Sequence, residues 1–427
     1  MATSHGIAFN DAPTGAPATQ DYTKASLGTV KGAIFLGSED TAVNTNFDDV
    51  QWHIGATDLS AVNGFLVGGN YEDNQVTSDS KTLMHATRLL GFADAGTDGE
   101  DEGCNFDSTI TDGVRVNWTN VQSARLCTSI LFKEGVDNVD VQLVTLNGTG
   151  STTISGVGFN PDVVICISTG KDSVSFGPNT LNYGVQFYKQ TSNAYAGTYL
   201  SGLNNDTTPD SSMYYTTSAI GGNVGTASGA LDDEYTLSNF GADGFNANKV
   251  AQTTARVAMF ISIGLASGYS ASVGTVTAPV LTGVTSLISG LDHTPQIALF
   301  AATGYTGIDG GVGTGICSLC FGALDADAEV NMGGWIEDAG GATQNTNAGG
   351  WHRNDSSIYI HNGTTVRSQA TFDSFQTDGV DLNFTTATDA IKIAYLTIGP
   401  DIAASTGLSS RHALGRGISR STARGIG

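Results

Sequence analysis

Asp243-Gly244-Phe245-Asn246-Ala247-Asn248 decides the fold, because its pattern occurs three times. Asp112-Gly113-Val114-Arg115-Val116-Asn117 and Asp378-Gly379-Val380-Asp381-Leu382-Asn383 are the other copies. They lie 131 residues apart (112 to 243) and 135 apart (243 to 378). An aromatic precedes each copy, at Phe106, Phe240 and Phe375. An alanine falls seven residues past each final Asn, at Ala124, Ala255 and Ala390, next to an apolar run. Three copies in one register predict internal duplication. The Asp-Gly step is a turn signal: Gly supplies positive φ and Asp can bond its own backbone. Beyond the turn, Val114 and Val116, Phe245 and Ala247, and Val380 and Leu382 each share one strand face. The motif therefore reads as a turn entering a core strand, with a repeated metal site on its Asp residues as the rival reading.

A second landmark keeps the same phase. Pro161 opens the run Asp162-Val163-Val164-Ile165-Cys166, and Pro295 opens Gln296-Ile297-Ala298-Leu299-Phe300. Each Pro stands where a strand start tolerates a missing N–H. They precede their Asp by 82 residues (161 to 243) and 83 residues (295 to 378). The first copy has Val30-Lys31 at the corresponding place and is more diverged.

Only 14% of the 427 residues are charged and 56 are Gly, against about 25% charged in typical domains. Long surface helices carry Glu, Lys and Arg, so this composition predicts an all-β chain rich in turns. The expected architecture is three tandem antiparallel β-sandwich modules of jelly-roll or concanavalin-like type. The expected division is an extended N-terminal arm over 1–22, modules over 23–146, 147–277 and 278–400, and a basic C-terminal tail over 401–427. The arm reads either as a disordered terminus or as a segment docking on a neighbouring subunit.

The net charge is −23, and the basic residues gather only in the tail, at Arg411, His412, Arg416, Arg420 and Arg424. The body is thus a poor nucleic-acid partner. The tail reads as a flexible end or, preferably, as an assembly anchor in which Arg411, Arg416, Arg420 and Arg424 pair with acidic surfaces of sibling subunits. No apolar run is long enough for a membrane span, and Met1–Tyr22 lacks the features of a secretory signal. Five cysteines, Cys104, Cys127, Cys166, Cys317 and Cys320, do not make a disulfide framework. Cys317 and Cys320 should face opposite sides of a strand, which suits buried free thiols.

No nucleophile elbow, zinc-protease motif or phosphate loop is present. The acidic stretch Asp94 to Glu102 could chelate calcium but lacks EF-hand spacing, so an exposed acidic loop is preferred and no cofactor is implied. Asp325, Asp327 and Glu329 leave a glycosidase-type carboxylate pair open as an enzymatic alternative. Trp351, His352 and Arg353 could stack on and bond a sugar; the competing reading is a core Trp beside a turn.

The order Gly158-Phe159, Pro161-Asp162, Val164, then Phe240, Asp243-Gly244-Phe245, then Val257-Ala258-Met259-Phe260 resembles modules of tail-fibre and other surface proteins of tailed bacteriophages. The likeness is clearest in the second copy, partial in the third and weak in the first. Met259 stands where those modules carry a Trp. The resemblance implies concanavalin- or laminin-G-type sandwiches in a virion protein and no catalytic residue. The function implied is a non-enzymatic structural part of a tailed-phage virion, a decoration or fibre-type component of capsid or tail, assembled in the host cytoplasm. Its partners would be other virion proteins, further copies of itself and host-surface glycans. The alternatives are a carbohydrate-binding adhesin without an assembly role and a glycan-cleaving tailspike.

Overall fold

A computed structural model describes residues 5–15, 17–60, 64–73, 75, 79–93, 100–121, 123–178, 181–202, 211–224, 230–251, 254–312, 315–337 and 347–403. Among these the chain is all-β, with strands β1 to β33 in antiparallel sheets. The sheets come as three pairs, each a seven-stranded sheet and a four-stranded sheet.

The first large sheet runs β1 (Gly6–Phe9), β11 (Leu126–Phe132), β3 (Gly32–Ser38), β5 (Val50–Thr57), β6 (Gly64–Tyr71), β7 (Ser80–His85) and β15 (Phe176–Pro178). Its small sheet runs β2 (Ala18–Thr23), β10 (Gly113–Asn120), β9 (Glu100–Ile110) and β8 (Leu90–Ala93). The second large sheet runs β12 (Val136–Leu146), β22 (Arg256–Leu265), β14 (Val163–Ser168), β16 (Leu181–Lys189), β17 (Ala194–Gly202), β18 (Ser211–Thr216) and β26 (Gly310–Val312). Its companion runs β13 (Ser151–Ser155), β21 (Gly244–Ala251), β20 (Leu231–Gly241) and β19 (Ile220–Val224). The third large sheet runs β23 (Tyr269–Thr277), β33 (Lys392–Pro400), β25 (Ile297–Thr303), β27 (Ile316–Leu324), β28 (Glu329–Glu337), β29 (Asn347–Arg353) and β4 (Asn46–Asp48). Its companion runs β24 (Gly283–Ile288), β32 (Gly379–Ala387), β31 (Val366–Gln376) and β30 (Ile358–His361).

The seventh strand of each large sheet comes from elsewhere in the chain. β15 pairs with β7, β26 with β18, and β4 with β29. The second segment lends a strand to the first sheet, the third to the second, and the first to the third. The lending closes a ring of three, and each short lent strand covers an edge otherwise open to foreign pairing.

Residue alternation then serves two cores at once. Ile34 and Leu36 of β3, Ile165 and Ile167 of β14, and Leu299 and Ala301 of β25 enter one shared cluster spanning all three large sheets. Their neighbours Phe35, Cys166 and Phe300 point the other way, into three separate clusters between each large sheet and its companion. Both faces are buried, so these strands read as continuous apolar runs. Each fully buried Ile or Leu contributes about 1.5–3 kcal/mol of transfer free energy. Cys317 lies in the shared cluster and Cys320 in the third sandwich, on opposite faces as their spacing requires. All five cysteines are free and buried.

The repeated motif forms the turns between β9 and β10, β20 and β21, and β31 and β32. Val114, Val116, Phe245, Ala247, Val380 and Leu382 are all buried. The glycine is there for close approach: a Cβ on Gly113, Gly244 or Gly379 would fall closer than 3.0 Å to the carbonyl oxygen of Tyr22, Ile154 or Ile288. In the first two copies the Asp side chain pins the loop that follows the first strand of the small sheet, and in the third the Asp378 carbonyl accepts from Leu291 N at 3.0 Å. Asp112 accepts from Ser26 N (3.2 Å) and Gly28 N (2.5 Å), and Asp243 from Gly156 N (3.2 Å) and Gly158 N (3.3 Å).

A second triplet fastens each small sheet to its large one. Arg125, Arg256 and Arg367 donate from Nη1 to the carbonyls of Glu39 (2.7 Å), Gly170 (2.8 Å) and Gly304 (3.0 Å), at or just beyond the ends of β3, β14 and β25. Each also pairs with an acid, Glu102, Asp233 or Asp389. In the third copy the partners have exchanged strands: the Arg is on β31 and the acid precedes β33.

Two expectations about the division of the chain are corrected. The expected N-terminal arm contains β1 and β2, which pair with β11 and β10; Pro13 and Pro17 fall outside both strands. The expected module ends at 146 and 277 are each one strand late. β12 pairs with β22 and β23 with β33, so sheet membership changes at Lys133–Gly135 and Ala266–Gly268. A strand's own pattern reports its buried face but not its distant partner.

Candidate functional site

Trp351, His352 and Arg353 sit on β29, where the lent strand β4 closes the ring between the third and first sheets. Gly349, Gly350 and Trp351 pair with Asp48, Phe47 and Asn46. Trp351 is fully buried; its Nε1 donates to Asn331 Oδ1 at 2.6 Å, and its ring meets Tyr359 edge-on at 5.2 Å. No ring face is left for a sugar, so the expected stacking role is corrected: this is a core Trp.

His352 points to the other side of the strand and crosses the junction. Its Nδ1 lies 3.1 Å from Ser38 Oγ and its Nε2 2.9 Å from Thr128 Oγ1. One nitrogen of a neutral imidazole donates and the other accepts, and hydroxyls can rotate to match either. Burial pushes its pKa down to about 4, so the ring is neutral at physiological pH. Arg353 binds Asp355 through Nε and Nη2, both at 2.9 Å, stacks 4.3 Å above the Tyr359 ring, and donates to Asn44 O at 3.3 Å. Its guanidinium is committed to the fold. Asn44, at φ 65°, exchanges two hydrogen bonds with Asn354, at 2.8 and 3.0 Å, and donates its N–H to His352 O at 3.0 Å.

Beside His352 the junction opens into a cleft of about 300 Å³, lined among others by Phe9, Asp11, Val43, Leu126, His352 and Asn354. Phe9 and Val43 are 40% and 38% exposed. Burial raises the Asp11 carboxyl. Its carboxylate oxygens have no hydrogen-bond partner among the described residues. Nothing in the sequence signals the Phe9–Asp11 side of this cleft, because it meets His352 and Asn354 only through ring closure.

The register makes Met84, Tyr215 and His352 equivalent positions of β7, β18 and β29. At the junction of the second and third sheets, the larger Tyr215 crosses instead and donates to Thr275 Oγ1 at 2.8 Å. There Thr217 is tied down by Asp309, with N–H···Oδ1 at 2.6 Å. The third junction therefore differs from the second in having a smaller crossing side chain.

The other acids named from sequence have structural partners. Asp325 accepts from Ile7 N (2.9 Å), Asp327 N (2.8 Å) and Ala328 N (2.7 Å) and lies 3.5 Å from Lys24 Nζ; Glu329 accepts from Phe372 N at 2.8 Å. Within 94–102, Glu102 is buried, and its Oε1 accepts from Ser123 and Arg125; residues 94–99 lie outside the described residues. So do Arg411, Arg416, Arg420 and Arg424. No group of three or more His, Cys, Asp or Glu among the described residues is arranged to hold a metal ion. No protein-family model matches the chain, and no curated protein matches it.

Proposed function

We propose that this chain is a non-enzymatic structural component of a tailed-phage virion, displayed on capsid or tail as a decoration or fibre-type part. The observation that carries the reading is the cyclic strand lending that joins three large sheets around one shared core. Such a body is a block with one edge of each large sheet covered, in which loops can vary without disturbing the frame. The motif's resemblance to phage surface modules points the same way. So does the structural use of the repeat Asp residues, Asp325 and Glu329. Antibody against the protein should detect it in gradient-purified particles of the phage that encodes it, at a fixed ratio to the major capsid protein. Its absence from washed particles, with abundant protein left in the lysate, refutes the assembly role.

The second reading is a glycan-binding surface protein. The cleft between the third and first sheets favours it, since it offers an exposed aromatic beside an unengaged carboxylate.

A further inference from the structure

Three features compete for a role beyond the frame: an acidic groove where the first and second sheets meet, a set of unpaired polar atoms inside the first sandwich, and the cleft beside His352. The acidic groove, near Asp58 and Asp140, has no feature that selects a ligand over solvent. The interior atoms, on Gln51, His53 and Asn70, have no described opening to the surface. The cleft has volume, exposure and a matched set of unused bonding groups.

We propose that the cleft beside His352 is a binding site for a single hexose-sized sugar residue, held by Phe9, Asp11 and Asn354. This deepens the glycan-contact part of the reading above and rests on it. A volume of about 300 Å³ lies at the small end of ligand sites and suits one ring rather than a chain. Phe9 is 40% exposed and lines the cleft, and the apolar C–H face of a pyranose packs on aromatic side chains. Sugar hydroxyls each donate and accept. Asp11 presents acceptors only. Asn354 uses its Oδ1 and its backbone N–H on Asn44, which leaves the Nδ2 donors for a ligand. A carboxylate accepting from one hydroxyl and an amide donating to its neighbour match a vicinal diol. A bare anion would be repelled by Asp11, and a bare cation would make no use of Asn354 Nδ2 or Phe9.

The floor is held in place independently of any ligand. Both His352 nitrogens are occupied by Ser38 and Thr128, so the imidazole supports the site without titrating near neutrality. At the equivalent corner between the second and third sheets, the larger Tyr215 takes the place of His352 and bonds Thr275 Oγ1.

The test uses the full chain and saturation-transfer NMR with the methyl glycosides of glucose, galactose, mannose and N-acetylglucosamine. At least one should receive saturation on its ring protons. Phe9→Ala and Asp11→Asn should each weaken that binding tenfold or more. Asn354→Asp, which keeps the acceptor for Asn44 and removes the donors, should do the same. Val250→Ala, at an exposed site elsewhere, should leave binding unchanged. Unchanged thermal melting of the three cleft variants separates loss of binding from loss of fold. If no glycoside is saturated, or if saturation survives all three substitutions, the site assignment is wrong. Particle incorporation is scored separately with Phe9→Ala. Sugar binding by a protein absent from particles sinks the virion reading and leaves the cleft standing, and incorporation without sugar binding does the reverse.

Discussion

The glycine of the repeated motif allows a quantitative test that separates two physical causes. A Cβ at Gly113 would fall closer than 3.0 Å to Tyr22 O, with no unusual φ; at Gly244 it would meet Ile154 O and also require an L-residue at φ +137°. Gly268 has φ +82° and nothing within 4 Å, and Gly241 has neither a positive φ nor a near neighbour. Four Gly→Ala substitutions therefore span clash and strain in all combinations. Gly241→Ala should be neutral or stabilising by about 0.4–1 kcal/mol through the unfolded chain. Gly268→Ala should cost about 1–2 kcal/mol for left-handed backbone. Gly113→Ala should cost about 1–3 kcal/mol, because a paired strand must retreat from the new methyl group. Gly244→Ala combines strain of about 1–3 kcal/mol with an overpacking cost of similar size, so it should be the worst of the four. Urea unfolding followed by tryptophan fluorescence and far-UV circular dichroism reads the midpoints. If Gly113→Ala unfolds at the same urea concentration as Gly241→Ala, the close-approach explanation of the motif is refuted.

Other consequences are simpler to state. Asp233 is 1% exposed at its side chain and faces both Lys249 and Arg256; Asp233→Asn should lower stability by about 3–5 kcal/mol, and a midpoint shift matching an exposed pair would contradict this. Burial raises Glu39 and Glu329 from 4.5 to about 7. The folded state therefore holds these protons more tightly than the unfolded chain, and the resulting stability is present below pH 4.5 and lost as pH rises through 7. Glu39→Gln combined with Glu329→Gln should flatten that decline in a pH series of urea midpoints. All five thiols are buried, and burial pushes Cys320 up to about 11. Native protein should react with a thiol reagent at neutral pH only on the timescale of unfolding, and five thiols should appear at once in strong denaturant; a rapidly reacting thiol in native protein contradicts the packing.

Glu102, Asp233 and Asp389 show where reading a sequence stops being sufficient. Each is an acid in an acidic chain, and nothing nearby marks it as the partner of an Arg that secures a strand end. The exchange of strands between Arg367 and Asp389 hides the third pair further, because Ile391 stands where the register places Arg125 and Arg256. Trp351 and His352 posed the opposite problem. An aromatic, an imidazole and a guanidinium in a row look like a binding site, yet all three are engaged with Asn331, Ser38, Thr128 and Asp355. Asn354 lies in the same stretch as Trp351, His352 and Arg353, whereas the cleft residues Phe9 and Asp11 carried no signal, since they lie near the other end of the chain.

The sequence alone determined the threefold recurrence of the Asp-Gly motif, the all-β class and the inward faces around each Asp-Gly turn. These depend on local turn chemistry and on a side-chain period of two, both of which can be counted along the chain. It also placed Cys317 and Cys320 on opposite faces. Only the tertiary structure decided which strands pair, that β1 and β2 complete the first sheets, and that β4, β15 and β26 are lent around a ring. Pairing depends on which distant edge is open and which surface excludes water, and a strand's pattern contains neither. For the same reason the alternation could identify a buried face but could not show that the opposite face is buried too, in a core shared by all three large sheets.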